Sequence, residues 1–145
     1  IDGKGVICTE NNSSKNSPEI SNYIAFWFVS EKTYEWFAYD ALDLNKNNDK
    51  FEFITIFPSK ETHYSVTEKN IFLRIKSSAD GHIIDSVLLS LDRYTLSIKH
   101  RVDYEIVATY GCNLFSNKTI FKENLRQISD EYRKRNSEKL KKRKL

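Results

Sequence analysis

The sequence predicts a mainly β fold: a single antiparallel β-barrel or β-sandwich built as a meander, with a C-terminal α-helix. Nine Phe, eight Tyr and two Trp stand against four Gly and two Pro in 145 residues, and ringed side chains pack well on a pleated sheet. Short strand-like segments alternate with polar turn residues over the first 116 positions, and a helical period follows. We therefore expect one β-domain at 1–116 and a helix at 117–145.

The first predicted elements are a short strand at 3–10, a polar loop at 11–18 and two aromatic strands at 20–30 and Thr33–Tyr39. The two residues between the aromatic strands suit a hairpin. Both faces of this pair carry rings, which indicates burial on both faces, or one face in the core and one presented to a partner. The candidate partner contacts on these strands are Trp27, Trp36, Phe37 and Tyr39.

Further strands complete the predicted β-domain. Pro58 ends one of them, and Asp80-Gly81 is the clearest tight-turn signal in the chain. Another turn is expected in the segment 91–95. Seven to nine antiparallel strands of this kind close most naturally into a barrel or a two-sheet sandwich. The segments are 51–57, 63–67, 71–76, 83–91, 96–98 and 103–115.

Cys8 and Cys112 bracket nearly all of this strand-like sequence, 104 positions apart. The alternation of each strand turns both thiols toward the core, so we predict a disulfide; two buried free thiols are the alternative. Neither cysteine has the spacing of a metal ligand. The loop 43–50 has oxygen side chains at alternate positions but lacks the glycine and glutamate of a calcium loop. We expect no metal and no cofactor.

The compartment is inferred from the apolar runs and from the first residue. The longest apolar run, 24–29, has six residues, so we expect no transmembrane segment. The chain contains no Met and begins at Ile1. We expect a processed product from which an export signal was removed, and a periplasmic or extracellular localisation; trimming for another reason would leave the same start.

The C-terminal segment shows a helical stripe followed by a basic tail. Apolar residues recur at spacings of four, three and four, which places them on one helix face: Phe121, Leu125, Ile128 and Tyr132. We expect this stripe to pack on the β-domain, with Asn117 or Thr119 as the helix cap. From Arg126 onward there are nine Lys or Arg and three Asp or Glu, a net charge of +6, which leaves −3 for the first 125 residues.

The basic tail is the second candidate contact surface. Clustered cations can contact an acidic protein partner or an anionic membrane surface. Nucleic acid is disfavoured because the rest of the chain is net negative. The alternative is a solvated helix end whose charge only maintains solubility. The candidate contacts are Arg133, Lys134, Arg135, Lys139, Lys141, Lys142, Arg143 and Lys144.

Three short motifs carry a resemblance: Phe26-Trp27-Phe28, the turn and strand LDRYTL at 91–96, and YGCNL at 110–114 before a Lys-rich helix. Together they resemble small, uncharacterised exported β-rich proteins of marine bacteria and their phages. The resemblance covers about half of the chain. It implies an exported β-fold and supplies no active site. The likeness to lipocalin-type carriers is one of fold alone, since their characteristic Gly-x-Trp start is absent.

Signals for catalysis are weak. None of the three histidines, His63, His82 and His100, lies in a nucleophile-bearing motif, and the four glycines form no phosphate loop. We predict a non-enzymatic, exported binding or structural-interaction module that uses the aromatic strands and the basic helix. The alternative is a lipocalin-like carrier of a small apolar ligand. A large internal cavity would favour the carrier, whereas a filled core would favour the interaction module.

Overall fold

A computed structural model describes residues 1–11, 22–30, 32–39, 53–57, 59, 62–79, 82–102 and 104–142. Within these ranges the chain forms nine strands and one helix, which confirms the predicted mainly β fold with a C-terminal helix. The elements are β1 Gly5–Glu10, β2 Tyr23–Val29, β3 Thr33–Tyr39, β4 Phe53–Phe57, β5 Thr62–Val66, β6 Asn70–Ala79, β7 His82–Asp92, β8 Ser97–Val102, β9 Glu105–Phe115 and α1 Lys118–Lys142.

The strands form one antiparallel sheet in the order β4-β3-β2-β1-β9-β8-β7-β6-β5. Strands that follow one another in sequence pair side by side, except β4 and β5, which lie at the two ends of this order; in addition, β1 lies between β2 and the last strand, β9. Six consecutive register pairs join β1 to β9, from Gly5 opposite Phe115 to Glu10 opposite Tyr110. The two halves of the meander are therefore joined through the first and last strands of the sheet.

The sheet curls until its two ends meet at β3. The C-terminal part of β3 pairs with β4, whereas its start contacts β5. The Tyr64 amide donates to the Lys32 carbonyl at 2.8 Å, and the Tyr34 amide donates to the Thr62 hydroxyl at 3.1 Å. β5 thus bonds the start of the β3 edge, beyond the part that β4 covers. The result is a nearly closed barrel, the first of the two predicted architectures.

The described part of the barrel interior is filled by aromatic and aliphatic side chains. Phe26 lies edge-on to Tyr34 with ring centroids 5.9 Å apart, and Phe28 lies edge-on to Tyr64 at 5.2 Å. The Tyr34 hydroxyl donates to the Arg74 carbonyl at 2.8 Å, so this ring is buried without an unpaired polar group. The buried members of this core are Val6, Cys8, Phe26, Phe28, Tyr34, Tyr64, Ile71, Leu73, Leu89, Leu91 and Ile98.

The predicted Cys8–Cys112 pair is confirmed. The two residues face each other across β1 and β9, with Cα atoms 4.0 Å apart and both sulfurs at bonding distance. Cys8 is fully buried in the barrel, and Cys112 packs against the same core. The bond therefore lies inside the barrel, across the pairing of its first and last strands.

The turn predicted at 91–95 is confirmed between β7 and β8. The Asp92 carboxylate accepts from the Thr95 amide at 3.1 Å and from the Tyr94 amide at 2.9 Å, and these bonds lower its pKa. Several other predicted features lie outside the described residues: the loop from 12 to 18, the loop 43–50, Pro58 and the turn Asp80-Gly81.

Candidate functional site

The helix α1 begins at a side-chain cap and is tied to the sheet at its first residue. The Asn117 side-chain oxygen accepts from the Thr119 amide at 2.9 Å and from the Ile120 amide at 3.2 Å, so Asn117 is the cap. Lys118 pairs with Glu35 of β3, with Nζ and Oε1 2.8 Å apart. These contacts fix where the helix starts against the outside of the barrel.

A ring cluster then docks the helix onto the sheet. Phe121 is fully buried, and its ring centroid lies 5.2 Å from Trp27, 5.5 Å from Phe37 and 5.9 Å from Phe115. Gly5 lies beneath this cluster, and a Cβ at that position would stand 2.4 Å from the Trp27 ring. The absence of a side chain at Gly5 therefore leaves the space that the Trp27 indole occupies beside β1.

The predicted apolar stripe packs on the barrel as expected. Phe121 and Leu125 are buried, and Ile128 and Tyr132 are partly buried. Ser129 is a further buried position that the stripe did not include; its hydroxyl donates to the Leu125 carbonyl at 3.1 Å, which satisfies it. This second core, on the outside of the barrel, has as its buried members Ile7, Ala25, Trp27, Phe37, Phe121 and Leu125.

The aromatic contact surface that we expected on β2 and β3 is occupied by the protein itself. Trp27 and Phe37 lie under α1 and are 6% and 5% exposed, so they are not presented to a partner. Trp36 packs toward the barrel core, with its ring 5.2 Å from Phe26. The Tyr39 side chain lies outside the described part of the structure. Burial on both faces, the other possibility left open by the sequence, accounts for Trp27, Trp36 and Phe37.

The basic tail begins where this packing ends. Lys134 is exposed, Arg133 is paired with Asp130 at 3.1 Å, and Arg135 lies 6.0 Å from the Tyr132 ring. The helix backbone continues 13 residues past the buried Ser129, which is about 20 Å of helix. The other tail contacts that we selected lie outside the described side chains: Lys139, Lys141, Lys142, Arg143 and Lys144.

A groove of about 520 Å³ runs beside α1, which we call the helix groove. Its wall on the sheet comes from β3 and β4, and its wall on the helix comes from the flank next to the apolar stripe. The apolar side chains of the lining come from both walls, whereas its charged side chains all come from the helix. The lining residues are Phe37, Phe53, Thr55, Lys122, Leu125, Arg126, Ser129, Asp130 and Arg133.

The charges of the helix groove do not cancel. Of its four charged residues, Asp130 is the one acid, and it is paired with Arg133. Lys122 and Arg126 are exposed, and neither is ion-paired within the described residues. The Arg133 Nε is buried and has no hydrogen-bond partner in the described part of the chain. The groove therefore combines an apolar floor with an excess of positive charge.

The groove was not predicted from the sequence, although the residues of its helix wall can be recognised there. Lys122, Arg126 and Arg133 each follow a stripe residue by one position, so they share the flank beside the stripe. Nothing in the sequence shows which strands face that flank. Phe53 and Thr55 come to it only through the pairing of β4 with β3.

Comparison with known proteins gives no match: no family model, curated protein or solved structure is similar to this chain. The resemblance to exported proteins of marine bacteria and their phages stays a prediction. Among the described residues, no group of three or more His, Cys, Asp or Glu is placed to hold a metal ion. In the same part of the chain, no helix is both long and apolar enough to cross a bilayer.

Proposed function

We propose that this protein is an exported, non-enzymatic binding module that contacts an acidic protein partner through the basic C-terminal part of α1. One observation carries the proposal: the helix is divided. Its first half is held on the barrel by buried residues from Phe121 to Ser129. Its second half continues to Lys142 with a high density of Lys and Arg and no continuous apolar stripe.

The disulfide supports export. Structural disulfides persist in oxidising compartments and are rare in the reducing cytosol of most organisms. Cys8 and Cys112 are the two cysteines of the chain, and both are used in the bond. Its position inside the barrel, across β1 and β9, suits a structural role.

The filled interior favours a binding module over a lipocalin-like carrier. A carrier of that type needs an empty lumen of several hundred Å³. Here Phe26, Phe28, Tyr34 and Tyr64 occupy the described interior and are each at most 4% exposed. The outside of the barrel therefore remains for the contact surface.

The composition of the tail favours a protein over a lipid bilayer as the partner. A helix that lies in a membrane interface needs an apolar face to insert, and past Tyr132 only Leu140 and Leu145 are apolar. A cationic helix with a polar surface instead fits a complementary acidic surface, where the attraction is electrostatic and screened by salt.

The test measures binding of the protein to poly-L-glutamate, a model acidic polypeptide, at rising salt concentration. We expect binding at low salt that weakens by at least tenfold as the Debye length falls from about 10 Å at 0.1 M to about 3 Å at 1 M. Deleting residues 134–145 should abolish it while circular dichroism shows an intact fold, since that segment contributes no described buried apolar residue.

The matched control is the double variant Lys99→Gln, Arg101→Gln, which removes two exposed cations from β8 and leaves the tail intact. It should bind almost as well as the wild type. A deletion variant that binds as tightly as the full chain, or binding that is indifferent to salt, would overturn the proposal. Binding to phosphatidylglycerol vesicles but not to poly-L-glutamate would reassign the partner to an anionic membrane.

A further inference from the structure

We propose that the helix groove is a binding site for an anionic amphiphile, a molecule with a hydrocarbon chain and a carboxylate, of the class of medium-chain fatty acids. The site shares Arg133 with the basic tail, lies outside the segment 134–145 and goes beyond the function proposed for the tail. It also differs from a lipocalin-type site, because it lies between α1 and the outside of the barrel.

The dimensions of the groove fit a ligand of this class. Its volume of about 520 Å³ lies within the range of roughly 300–1,000 Å³ that is usual for small-molecule sites. The lining positions on α1 extend from Lys122 to Arg133, which is about 16 Å along the helix axis. An extended hydrocarbon chain can therefore lie lengthwise between the helix and β4.

The floor of the groove offers a hydrocarbon chain three apolar side chains. Phe37 and Leu125 are nearly buried, at 5% and 4% exposure, and Phe53 is partly buried beside them. Both walls are held by the rest of the fold: β3 pairs with β2 and β4, and α1 is docked through Phe121. The apolar surface is thus formed before any ligand arrives, which reduces the ordering that binding requires.

The rim of the groove is suited to a carboxylate. Lys122 and Arg126 lie four residues apart on the same flank of α1, and neither has an acidic partner in the described structure. An ionised carboxylate between them would form charge-assisted hydrogen bonds, and Arg126 can bind both of its oxygens.

A hydrocarbon chain fits the groove better than an acidic peptide does. A peptide would bring backbone N–H and C=O groups that need partners when they leave water. The lining offers few acceptors for the N–H groups: Asp130 is paired with Arg133, and the carbonyls of the helix backbone are bonded within the helix. A hydrocarbon chain makes no such demand.

The proposal is tested by isothermal titration calorimetry of the full chain with dodecanoate, below its critical micelle concentration. Dodecanol is the control ligand, because it has the same hydrocarbon chain and no charge. We expect dodecanoate to bind at least tenfold more tightly than dodecanol, and decanoate to bind more weakly than dodecanoate by several-fold for each methylene lost. The protein lacking residues 134–145 should bind dodecanoate as the full chain does, which separates this site from the tail.

Three variants locate the ligand. The double variant Lys122→Gln, Arg126→Gln should weaken dodecanoate at least tenfold and leave dodecanol unchanged. Thr55→Trp, at an exposed position of β4, should fill the groove and weaken both ligands. The control Lys99→Gln removes an exposed cation from β8, away from α1, and should change neither affinity. All variants are first shown to melt at the wild-type temperature.

Three results would overturn the proposal. The first is equal affinity for dodecanol and dodecanoate. The second is a Lys122→Gln, Arg126→Gln variant that binds dodecanoate as tightly as Lys99→Gln does, and the third is a Thr55→Trp variant that binds both ligands as the wild type does. Tighter binding of an acidic amphipathic peptide, lost in the same variants, would assign the groove to a peptide instead.

Discussion

Replacing Phe121 by Ala should remove most of the contact that docks α1. The Phe121 ring is fully buried and lies within 6 Å of three other rings, at 5.2, 5.5 and 5.9 Å between centroids. Truncating a buried Phe to Ala costs about 3–5 kcal/mol, and each lost ring pair accounts for roughly 0.5–1.5 kcal/mol of such a loss. We expect about 4 kcal/mol, because the floor of the cluster is a hydrogen-bonded sheet that cannot collapse into the cavity.

Urea unfolding followed by circular dichroism and by tryptophan fluorescence measures this loss, since Trp27 touches the ring that is removed. Ile120→Ala is the matched control, because Ile120 is the preceding helix residue and is 50% exposed. It should cost less than about 1 kcal/mol. Equal and small losses for the two variants would refute the docking of α1 through Phe121, and with it the helix groove.

Three further predictions concern other parts of the fold. Gly5→Ala should destabilise the protein by about 1–3 kcal/mol, because the new Cβ would stand 2.4 Å from the Trp27 indole. In the control Gly111→Ala the nearest atom lies 3.4 Å from the new Cβ, so the loss of stability should be smaller. Thermal melts compare the two variants. Burial raises the pKa of Tyr34 above its ordinary value of 10.0. Above pH 10 the hydroxyl of the unfolded chain therefore ionises first, and the free energy of unfolding falls by about 1.4 kcal/mol per pH unit. Tyr34→Phe should remove this contribution to the fall of stability with pH, as measured by urea unfolding at several pH values. Cys112→Ser should lower stability by about 2–5 kcal/mol, as measured by urea unfolding.

Each of these predictions has its own contradicting result. Equal losses for the two glycine variants would show that the indole does not lie over Gly5. An alkaline slope that is unchanged in Tyr34→Phe would show that this hydroxyl is solvated in the native state. Two thiols that alkylate freely in native, air-exposed protein would contradict the disulfide and remove a support for export.

The parts of the fold that the sequence predicted are those set by local period or by rare residues. The stripe from Phe121 to Tyr132 follows the helical repeat, and it packs as its period indicates. The chain holds two cysteines, so their pairing had one solution once both were assigned to the core. Turn chemistry at Asp92 was equally local, because the carboxylate bonds amides two and three residues ahead.

The parts that it did not predict depend on which elements meet in space. Two-sided aromatic strands are compatible with a helix over one face or with a partner over it, and no local pattern decides between them. The cover over Trp27 and Phe37 comes from Phe121, more than 80 positions later in the chain. The helix groove has the same origin, since its two walls are β3 and β4 on one side and α1 on the other.

The placement of β1 between β2 and β9 has a consequence for the order of folding. Cys8 and Cys112 are 104 positions apart. One edge of β1 therefore stays without hydrogen bonds until β9, the last strand, pairs with it. Contacts between such distant segments form slowly, because the entropy of closing a long loop opposes them. The helix α1 follows β9 directly and rests partly on β1, so it can dock only after this pairing. The helix groove, which needs α1 docked beside β3 and β4, is therefore complete only in a chain that has finished folding, and a ligand that recognises the groove distinguishes the completed protein from its intermediates.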